Sequence, residues 1–207
     1  MMEIFDFEQG SPDWFSARLG LVTASEFKTI IGVKKDAREK VTRQAYMRKL
    51  AGEILTGEPM ESYSNGYMDR GKELEDEARS LYQFVHDAPI QKVGFIRSGL
   101  KGCSPDSLIG NDGGLEIKVA IPHIQIERLE RGELPSEHAA QVQGNIWIAE
   151  REWWDFASYC PKLPLFTVRV HRDENYIKQL STAVDEFNTE LAALVERIKR
   201  HGVKEAA

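Results

Sequence analysis

The chain has 207 residues, of which 42% are hydrophobic, and a formal net charge of −6. This length and apolar content suit a globular protein with a packed core, and the acidic charge argues against a protein that coats nucleic acid through its whole surface. Because the sequence has no apolar run near the ~18 residues of a membrane span, no signal-peptide core and only two cysteines, we expect a cytoplasmic protein with reduced thiols and no membrane association.

The first half of the chain is patterned as four helices. Capping and proline residues mark helix starts, and glycines mark helix ends. The first predicted helix starts at Ser11-Pro12 and ends at Gly20, and residues 23–26 have the capping-box spacing that starts a second. The third and fourth are predicted over 42–56 and 67–86.

The second half of the chain alternates strand-like and helical patterns. Strands are predicted over 90–97, 101–109, 115–120, 153–159 and 165–171, and helices over 124–131, over 136–151 and along the C-terminal segment. No repeat, low-complexity segment or linker divides the chain, so we expect a single domain over residues 1–207. Helices, then a mixed sheet, then helices packed back against it predict an α/β (α+β) layered fold.

Basic residues concentrate in one window of the predicted second and third helices. Residues 28–49 carry eight basic residues against Asp36 and Glu39. The basic residues are Lys28, Lys34, Lys35, Arg38, Lys40, Arg43, Arg48 and Lys49. The window is either a local anion-binding surface or a solvated helix face without a ligand, and charge alone does not decide between them.

A predicted hairpin over residues 102–120 carries charges inside strand-like sequence. Its turn is predicted at residues 111–114, Asn-Asp-Gly-Gly, because these residue types accept positive φ. Apolar residues then alternate with Glu116 and Lys118, which places both charged side chains on one face of the strand.

Asp106 lies on the partner strand of the same hairpin, so two carboxylates and one ammonium group converge. Two carboxylates held close together are costly unless a cation lies between them, and oxygen ligands suit Mg²⁺ or Mn²⁺ better than zinc. The adjacent Lys118 is suited to orient a water molecule or to neutralise a phosphate, which indicates phosphodiester hydrolysis. The alternative is a polar hairpin edge with an exposed Glu and Lys.

Glu75 falls on the apolar stripe of the predicted fourth helix, while Glu73, Asp76 and Glu77 point toward solvent. An inward-facing Glu is uncommon unless it is paired or lies near a metal ion. Glu75 is therefore either a functional acid or one partner of a structural salt bridge.

The C-terminal helix carries an apolar stripe that repeats every three or four residues. Its members are Ile177, Leu180, Val184, Phe187, Leu191, Leu194 and Ile198. This stripe packs either on the chain's own sheet or against another copy in an oligomer.

Six sequence blocks, taken together and in this order, resemble the phage lambda-type alkaline exonucleases, viral recombinase enzymes of the PD-(D/E)xK nuclease superfamily. The blocks are ARLG at 17–20, VTASE at 22–26, GKELE at 71–75, CSPD at 103–106, GLEIK at 114–118 and AQVQ at 140–143. The resemblance covers roughly residues 8–190 and implies a PD-(D/E)xK core, in which a central mixed β-sheet is flanked by helices.

The resemblance also implies roles for individual residues. Asp106, Glu116 and the main-chain carbonyl of Ile117 match the metal ligands, Lys118 the catalytic lysine, Glu75 the helical acid beside the metals and Gln141 the helical glutamine near the active site. Arg18, Ser25 and Ser104 match a pocket for a terminal 5′-phosphate, in which Lys118 shares. Without the resemblance, Gln141 would be interpreted as an ordinary polar helix residue.

The implied activity is 5′-to-3′ digestion of one strand of linear double-stranded DNA to mononucleotides. It uses two Mg²⁺ ions, for which Mn²⁺ can substitute, and leaves a 3′ single-stranded overhang for recombination by strand annealing. The resemblance also implies that three copies of the chain form a ring around the DNA, and that a single-strand annealing protein acts with it. The protein would be encoded by a phage or prophage and would act in the bacterial cytoplasm.

The chain departs from the family pattern at Asn145, where many superfamily relatives carry Tyr, and in the Glu-rich segment 122–135. Two other functions stay open. A PD-(D/E)xK endonuclease would use the same Asp106, Glu116 and Lys118, and a non-catalytic DNA-end binding module would keep Arg18 and the basic window. The intact Asp-Glu-Lys set disfavours the binding module.

Overall fold

The computed structural model describes residues 1–31, 37–60 and 66–201, with side chains described outside 37–41 and 66–72. Lys34 and Lys35 of the basic window, and the side chains of Arg38 and Lys40, lie outside the described part. Across the described ranges, no helix is both long and apolar enough to cross a membrane. Both cysteines are buried free thiols.

Seven α-helices and nine strands make up the described structure. The helices are α1 (Pro12–Ala17), α2 (Phe27–Ile31), α3 (Ala37–Thr56), α4 (Gly66–His86), α5 (Pro122–Arg131), α6 (Ala139–Ile148) and α7 (Glu174–Lys199). The strands are β1 (Met2–Phe5), β2 (Val22–Thr23), β3 (Ile90–Gln91), β4 (Phe95–Ser98), β5 (Lys101–Cys103), β6 (Ser107–Ile109), β7 (Gly113–Val119), β8 (Trp153–Tyr159) and β9 (Phe166–His171).

The strands form two mixed sheets flanked by helices, which confirms the predicted fold class. One sheet has the order β1-β4-β5-β2 and the other the order β3-β6-β7-β8-β9. The β2–β5 and β7–β8 pairs are parallel, and the other pairs are antiparallel.

Two strand runs predicted as continuous are each divided between the two sheets. The run 90–97 splits into β3 and β4, and the run 101–109 splits into β5 and β6. The first break lies at Gly94, which passes so close to the N-terminal segment that a Cβ there would lie 2.0 Å from the Phe7 carbonyl oxygen. The second lies at Ser104-Pro105, where proline cannot donate a ladder hydrogen bond.

The predicted hairpin turn is wrong in position. Gly110 takes positive φ (54°), whereas Gly113 and Gly114 are strand residues of β7. They are glycines because the rings of Trp153 and Trp154 on β8 lie directly over them, with ring atoms 2.2–2.5 Å from where a Cβ would stand. The glycine pair therefore permits close packing and does not form the turn.

The predicted capping box at Thr23 is also absent from the structure. Thr23 belongs to β2, and its side chain makes no helix-capping hydrogen bond. Its hydroxyl instead lies 3.2 Å from the Ser25 hydroxyl, and a 3-10 turn over Ala24–Glu26 leads into α2.

The C-terminal helix α7 packs on the chain's own core. Its buried residues are Ile177, Leu180, Val184, Phe187, Leu191 and Val195. Leu194 is partly buried and Ile198 is 47% exposed. At the end of the helix, the buried face therefore passes through Val195 and not through Leu194 and Ile198. Most of the stripe packs inside the same chain, which is the first of the two alternatives.

The fit of Gly114 beneath Trp154 gives a stability prediction. We expect Gly114→Ala to lower the free energy of unfolding by about 1–3 kcal/mol, because overpacking forces the buried Trp154 ring or the strand to move. Gly52→Ala is the matched control, since a Cβ there meets only Met60 Sδ at 3.6 Å and alanine favours the helix. Denaturant unfolding of wild type and both variants measures the free energy of unfolding. A Gly114→Ala variant as stable as wild type would contradict the assigned role of Gly114.

Candidate active site

The hairpin of β6 and β7 brings Asp106 beside Glu116. The two strands pair antiparallel from Ser107↔Leu115 to Ile109↔Gly113, so Asp106 immediately precedes β6 at the point where β7 runs on. There the Asp106 carboxylate accepts the backbone N–H of Ile117 at 2.5 Å. The Asp106 side chain thus continues the β6–β7 hydrogen bonding by one step, in place of a backbone carbonyl.

Glu116 points into the interior of the protein and is 2% exposed. Its Oε1 accepts a hydrogen bond from Gln141 Nε2 at 2.7 Å, and its Oε2 accepts one from Asn145 Nδ2 at 3.0 Å. Both donors come from α6. The buried carboxylate is therefore held by charge-assisted hydrogen bonds to two amides.

Lys118 lies on the same face of β7 as Glu116, as the strand alternation predicts. Its Nζ is 2.6 Å from Glu116 Oε1, and its side chain is 31% exposed. Burial lowers the pKa of Lys118, but the carboxylates of Glu116 and Asp106 outweigh this and raise it above its ordinary value. Lys118 is therefore a cation that also reaches solvent.

Glu75 approaches the hairpin from α4. Its Oε1 is 2.5 Å from Nη2 of the buried Arg79, and Arg79 Nε donates to the Ser107 hydroxyl at 3.2 Å. Burial, followed by the negative charges of Glu116 and Glu75, raises the pKa of Asp106 well above its usual range. Glu75 thus forms a salt bridge and also lies close enough to act on Asp106.

Further contacts fix α4 on the five-stranded sheet. The Tyr82 hydroxyl donates to Asp155 Oδ2 at 2.5 Å, and Arg169 donates to both oxygens of Asp155 at 2.8 and 2.9 Å. The Tyr159 hydroxyl donates to Glu77 at 2.5 Å. These bonds tie α4 to β8 and β9 and so determine where Glu75 stands.

A cavity of about 470 Å³ opens beside Asp106 and Glu75. Its other walls are residues 6–9 of the N-terminal segment, with Asp76, Arg79, Lys92, Val93 and Gly94. Gln9 holds that segment in place by donating to the carbonyls of Pro105 (2.9 Å) and Val93 (3.3 Å). The lining includes five carboxylates but only two cationic side chains, so the cavity favours positive charge.

The donor set fits a magnesium-type ion. Within the described ranges, no three His, Cys, Asp or Glu side chains are close enough together to bind a metal by themselves. Mg²⁺, however, typically keeps several waters and takes only one or two carboxylates from the protein. Asp106, Glu116 and the Ile117 carbonyl offer oxygen ligands alone. The pKa of Asp106 is raised by burial and then by the nearby carboxylates of Glu116 and Glu75, whose charge a divalent cation would neutralise.

Two of the three residues predicted to bind a 5′-phosphate, Arg18 and Ser104, contact Trp14. The Arg18 guanidinium stacks on the Trp14 ring at 4.0 Å, and Trp14 Nε1 donates to the Ser104 hydroxyl at 3.0 Å. Arg18 and Thr23 line a small cavity of about 110 Å³, and the exposed Ser25 bonds to Thr23. Burial lowers the pKa of Arg18.

The described part of the basic window has mixed roles. Arg43 pairs with Glu190 at 2.6 Å and stacks over Phe187 at 4.9 Å, so its role is structural. Lys28, Arg48 and Lys49 are exposed, and Lys49 lines the same cavity as Arg18.

Three residues of the site were missed by the interpretation of the sequence. Trp14 joins two predicted site residues, Arg18 and Ser104. Arg79 joins Glu75 to Ser107 of the hairpin, and Asn145 holds Glu116. Asn145 had a usable signal, since it lies four residues after Gln141 and so shares its face of the helix. Arg79 and Trp14 had the same signal, since each lies four residues from a predicted site residue, Glu75 and Arg18 respectively. Only their bonds to Ser107 and Ser104 are long-range, and nothing in the local pattern indicates those.

Residues 13–152 match the family model of the YqaJ-like viral recombinase domain. This span is more than half of the chain. The chain belongs to the YqaJ-like viral recombinase family. The predicted resemblance to lambda-type exonucleases is thereby confirmed at the level of family.

Solved structures with the same fold include exonucleases. The crystal structure of the alkaline exonuclease LHK-Exo from Laribacter hongkongensis is 35% identical, covers 95% of this chain and 100% of that one, and has a TM-score of 0.84. LHK-Exo in complex with dAMP is 36% identical, with the same coverage and a TM-score of 0.85. A phage related exonuclease from Haemophilus somnus 129PT shares the fold, with 18% identity over 86% of this chain and 96% of that one and a TM-score of 0.65.

A shorter match connects this family member to an uncharacterized protein of Escherichia coli K12, ExoD. The two are 33% identical over 57 residues, which is 26% of this chain and 66% of ExoD. The family and the LHK-Exo structures together support a nuclease.

His138, at the start of α6, is kept neutral by its surroundings. Its Nε2 lies 3.3 Å from Arg128 Nη2, and because guanidinium can only donate, Nε2 accepts this bond. The His138 ring packs on Phe156 with centroids 4.9 Å apart. Burial, together with the positive charges of Lys118 and Arg128, lowers the pKa of His138 to about 4.

We expect His138 to make the fold sensitive to acid. An unfolded histidine takes up a proton near pH 6.5, whereas folded His138 resists protonation down to about pH 4. The free energy of unfolding therefore falls by about 2 kcal/mol through this group between pH 7.5 and 5. Denaturant unfolding at the two pH values should show a smaller loss in His138→Gln, which keeps an acceptor for Arg128. Equal losses in both proteins would contradict the assignment.

Proposed function

We propose that this protein is a Mg²⁺-dependent exonuclease that digests one strand of linear double-stranded DNA in the 5′-to-3′ direction. The product is mononucleotides and a 3′ single-stranded overhang that serves recombination by strand annealing. The observation that carries the proposal is the convergence of Asp106, Glu116 and Lys118 on one hairpin, with Glu75 approaching from α4. Family membership and the likeness to LHK-Exo support the same activity.

The proposed metal ligands are Asp106, Glu116 and the carbonyl of Ile117. Two Mg²⁺ ions, or Mn²⁺ in their place, would complete the site with water and with oxygens of the DNA phosphate. A bound divalent ion supplies Lewis acidity and neutralises the negative charge that develops on the phosphate. The acidic cavity beside Asp106 supports the choice of a cation at this position.

The remaining residues have roles that their contacts support. Lys118 is a charged donor that reaches solvent, so it is suited to orient the attacking water and to stabilise charge on the phosphate. Gln141 holds one oxygen of Glu116 in place. Glu75, held by Arg79, adds a carboxylate to the cavity beside Asp106, where it is suited to accept a proton.

Arg18, Ser25 and Ser104 are proposed to bind the terminal 5′-phosphate, with Lys118 contributing from the hairpin. A guanidinium presents paired donors that match phosphate oxygens, and hydroxyls add single donors. The stacking of Arg18 on Trp14 holds the guanidinium in one orientation before DNA arrives. Recognition of the chain end would restrict the enzyme to linear DNA.

We further propose a homotrimeric ring around the DNA, a single-strand annealing protein that receives the 3′ overhang, and action in the cytoplasm of a bacterial host that carries a phage or prophage. The net charge of −6 is compatible with a ring, because only its channel needs positive potential.

The first test uses Asp106→Asn and Glu116→Gln, with Glu73→Gln as control because Glu73 is an exposed carboxylate on α4. We expect each site variant to lose more than about 100-fold of Mg²⁺-dependent mononucleotide release, since even residues that only support metal ligands account for 10–100-fold. Glu73→Gln should keep wild-type activity. The substrates are linear duplex and closed circular DNA, with EDTA as a further control.

The outcomes separate the candidate functions. Release of mononucleotides from linear DNA alone supports the exonuclease. Cutting of the circle would instead indicate an endonuclease, and DNA binding without hydrolysis would indicate an end-binding module. Site variants that keep more than a few per cent of activity would refute the proposed metal ligands.

The second test addresses the phosphate pocket. We expect wild-type enzyme to prefer 5′-phosphorylated over 5′-hydroxyl duplex ends and Arg18→Ala to reduce this preference by about 10-fold or more, because hydrogen bonds to charged groups contribute about 1.5–3 kcal/mol. Arg97→Ala, which removes an exposed arginine bonded to the Gly99 carbonyl, should leave the preference unchanged. An unchanged preference in Arg18→Ala would place the phosphate pocket elsewhere.

A further inference from the structure

Neither the family match nor the proposed mechanism gives a role to Asn145. It is 1% exposed, and its Nδ2 donates to Glu116 Oε2 at 3.0 Å. The other oxygen, Oε1, carries both the hydrogen bond from Gln141 and the ion pair with Lys118. The two oxygens of Glu116 therefore have different partners, and Asn145 is the partner of Oε2.

The position of α6 makes this contact possible. Gln141 and Asn145 are four residues apart, so both face β7 from successive turns of the helix. Between them, Gly144 lies so close to α2 that a Cβ there would be 2.5 Å from the Phe27 ring. This close packing sets the depth at which both amides reach Glu116.

The two amides together restrict rotation of the Glu116 carboxylate. A carboxylate held at one oxygen can still turn about its terminal bond, whereas one held at both oxygens by separate donors cannot turn without breaking a bond. In a buried site, a lost donor also leaves the oxygen without its partner, which costs about 1–3 kcal/mol or more for a charged group. Loss of the Asn145 amide would therefore let Glu116 turn toward its remaining donors, Lys118 and Gln141.

We propose that Asn145 is a positioning residue that fixes the carboxylate plane of Glu116 and thereby sets the affinity of the site for a divalent cation. Asn145 holds Oε2, while Oε1 carries the hydrogen bond from Gln141 and the ion pair with Lys118. This inference rests on the proposed role of Glu116 as a metal ligand. Many superfamily relatives carry tyrosine at this position, and its larger ring could not hold Glu116 Oε2 with the geometry that the Asn145 amide has.

The chain offers a matched control on the same helix. Gln143 is also a buried amide, but it donates to the His171 carbonyl and accepts the Asp173 N–H, so it joins α6 to the region between β9 and α7. Gln143→Ala should lower the melting temperature without changing the site. Asn145→Ala should change the site, and Asn145→Ser retains a shorter donor in case the alanine variant does not fold.

The experiment measures Mn²⁺ binding to the full-length protein without DNA, from the electron paramagnetic resonance signal of free Mn²⁺, together with the melting temperature of each variant. We expect Asn145→Ala to weaken Mn²⁺ binding by about 10-fold or more, as for other partners of metal ligands, and Asn145→Ser to fall between it and wild type. Gln143→Ala should bind Mn²⁺ with wild-type affinity at a lower melting temperature.

Wild-type Mn²⁺ affinity in Asn145→Ala, or in Asn145→Ser where only that variant folds, would overturn the proposal and leave Asn145 a structural residue. This outcome leaves the proposed nuclease function intact. If wild-type protein binds no Mn²⁺ and shows no Mg²⁺-dependent hydrolysis, the proposed function itself fails, and the role of Asn145 fails with it.

Discussion

The burial of the Glu116 carboxylate is the constraint on which the rest of the site depends. A carboxylate that is 2% exposed is stable as an anion only if charged and hydrogen-bonding partners replace its water. Lys118 supplies the charge, and Gln141 and Asn145 supply the donors. Lys118 must therefore lie on the same face of β7 as Glu116, and α6 must pack close enough to β7 for both amides to reach the carboxylate.

The neighbouring Asp106 shows the opposite balance of the same forces. It receives one backbone N–H, but burial, followed by the negative charges of Glu116 and Glu75, raises its pKa. Two carboxylates at the end of one hairpin therefore differ in how well their charge is compensated. This excess of negative charge next to an acidic cavity supports the proposed binding of a divalent cation.

Local sequence patterns predicted the parts of the site that depend on strand and helix periodicity. Alternation along β7 places Glu116 and Lys118 on one face, and helical periodicity turns Glu75 inward while Glu73 stays exposed. The same patterns misplaced Gly113 and Gly114, because a glycine needed for positive φ and a glycine needed for close approach look alike in sequence. The difference lies in Trp153 and Trp154, some forty residues further along the chain, which only the folded structure brings together with the glycines.

The division of the strands between two sheets gives the site a particular dependence on complete folding. Asp106 stands where the chain leaves β5 of one sheet and enters β6 of the other. Its companions Glu116 and Lys118 belong to the second sheet, and Glu75 reaches it from a helix packed on that sheet. A chain with only the five-stranded sheet formed would hold these four groups together, but it would not hold Ser104 in place, because Ser104 follows β5 of the other sheet. The proposed hydrolytic groups and the proposed phosphate-binding Ser104 therefore come into register only when both sheets have formed.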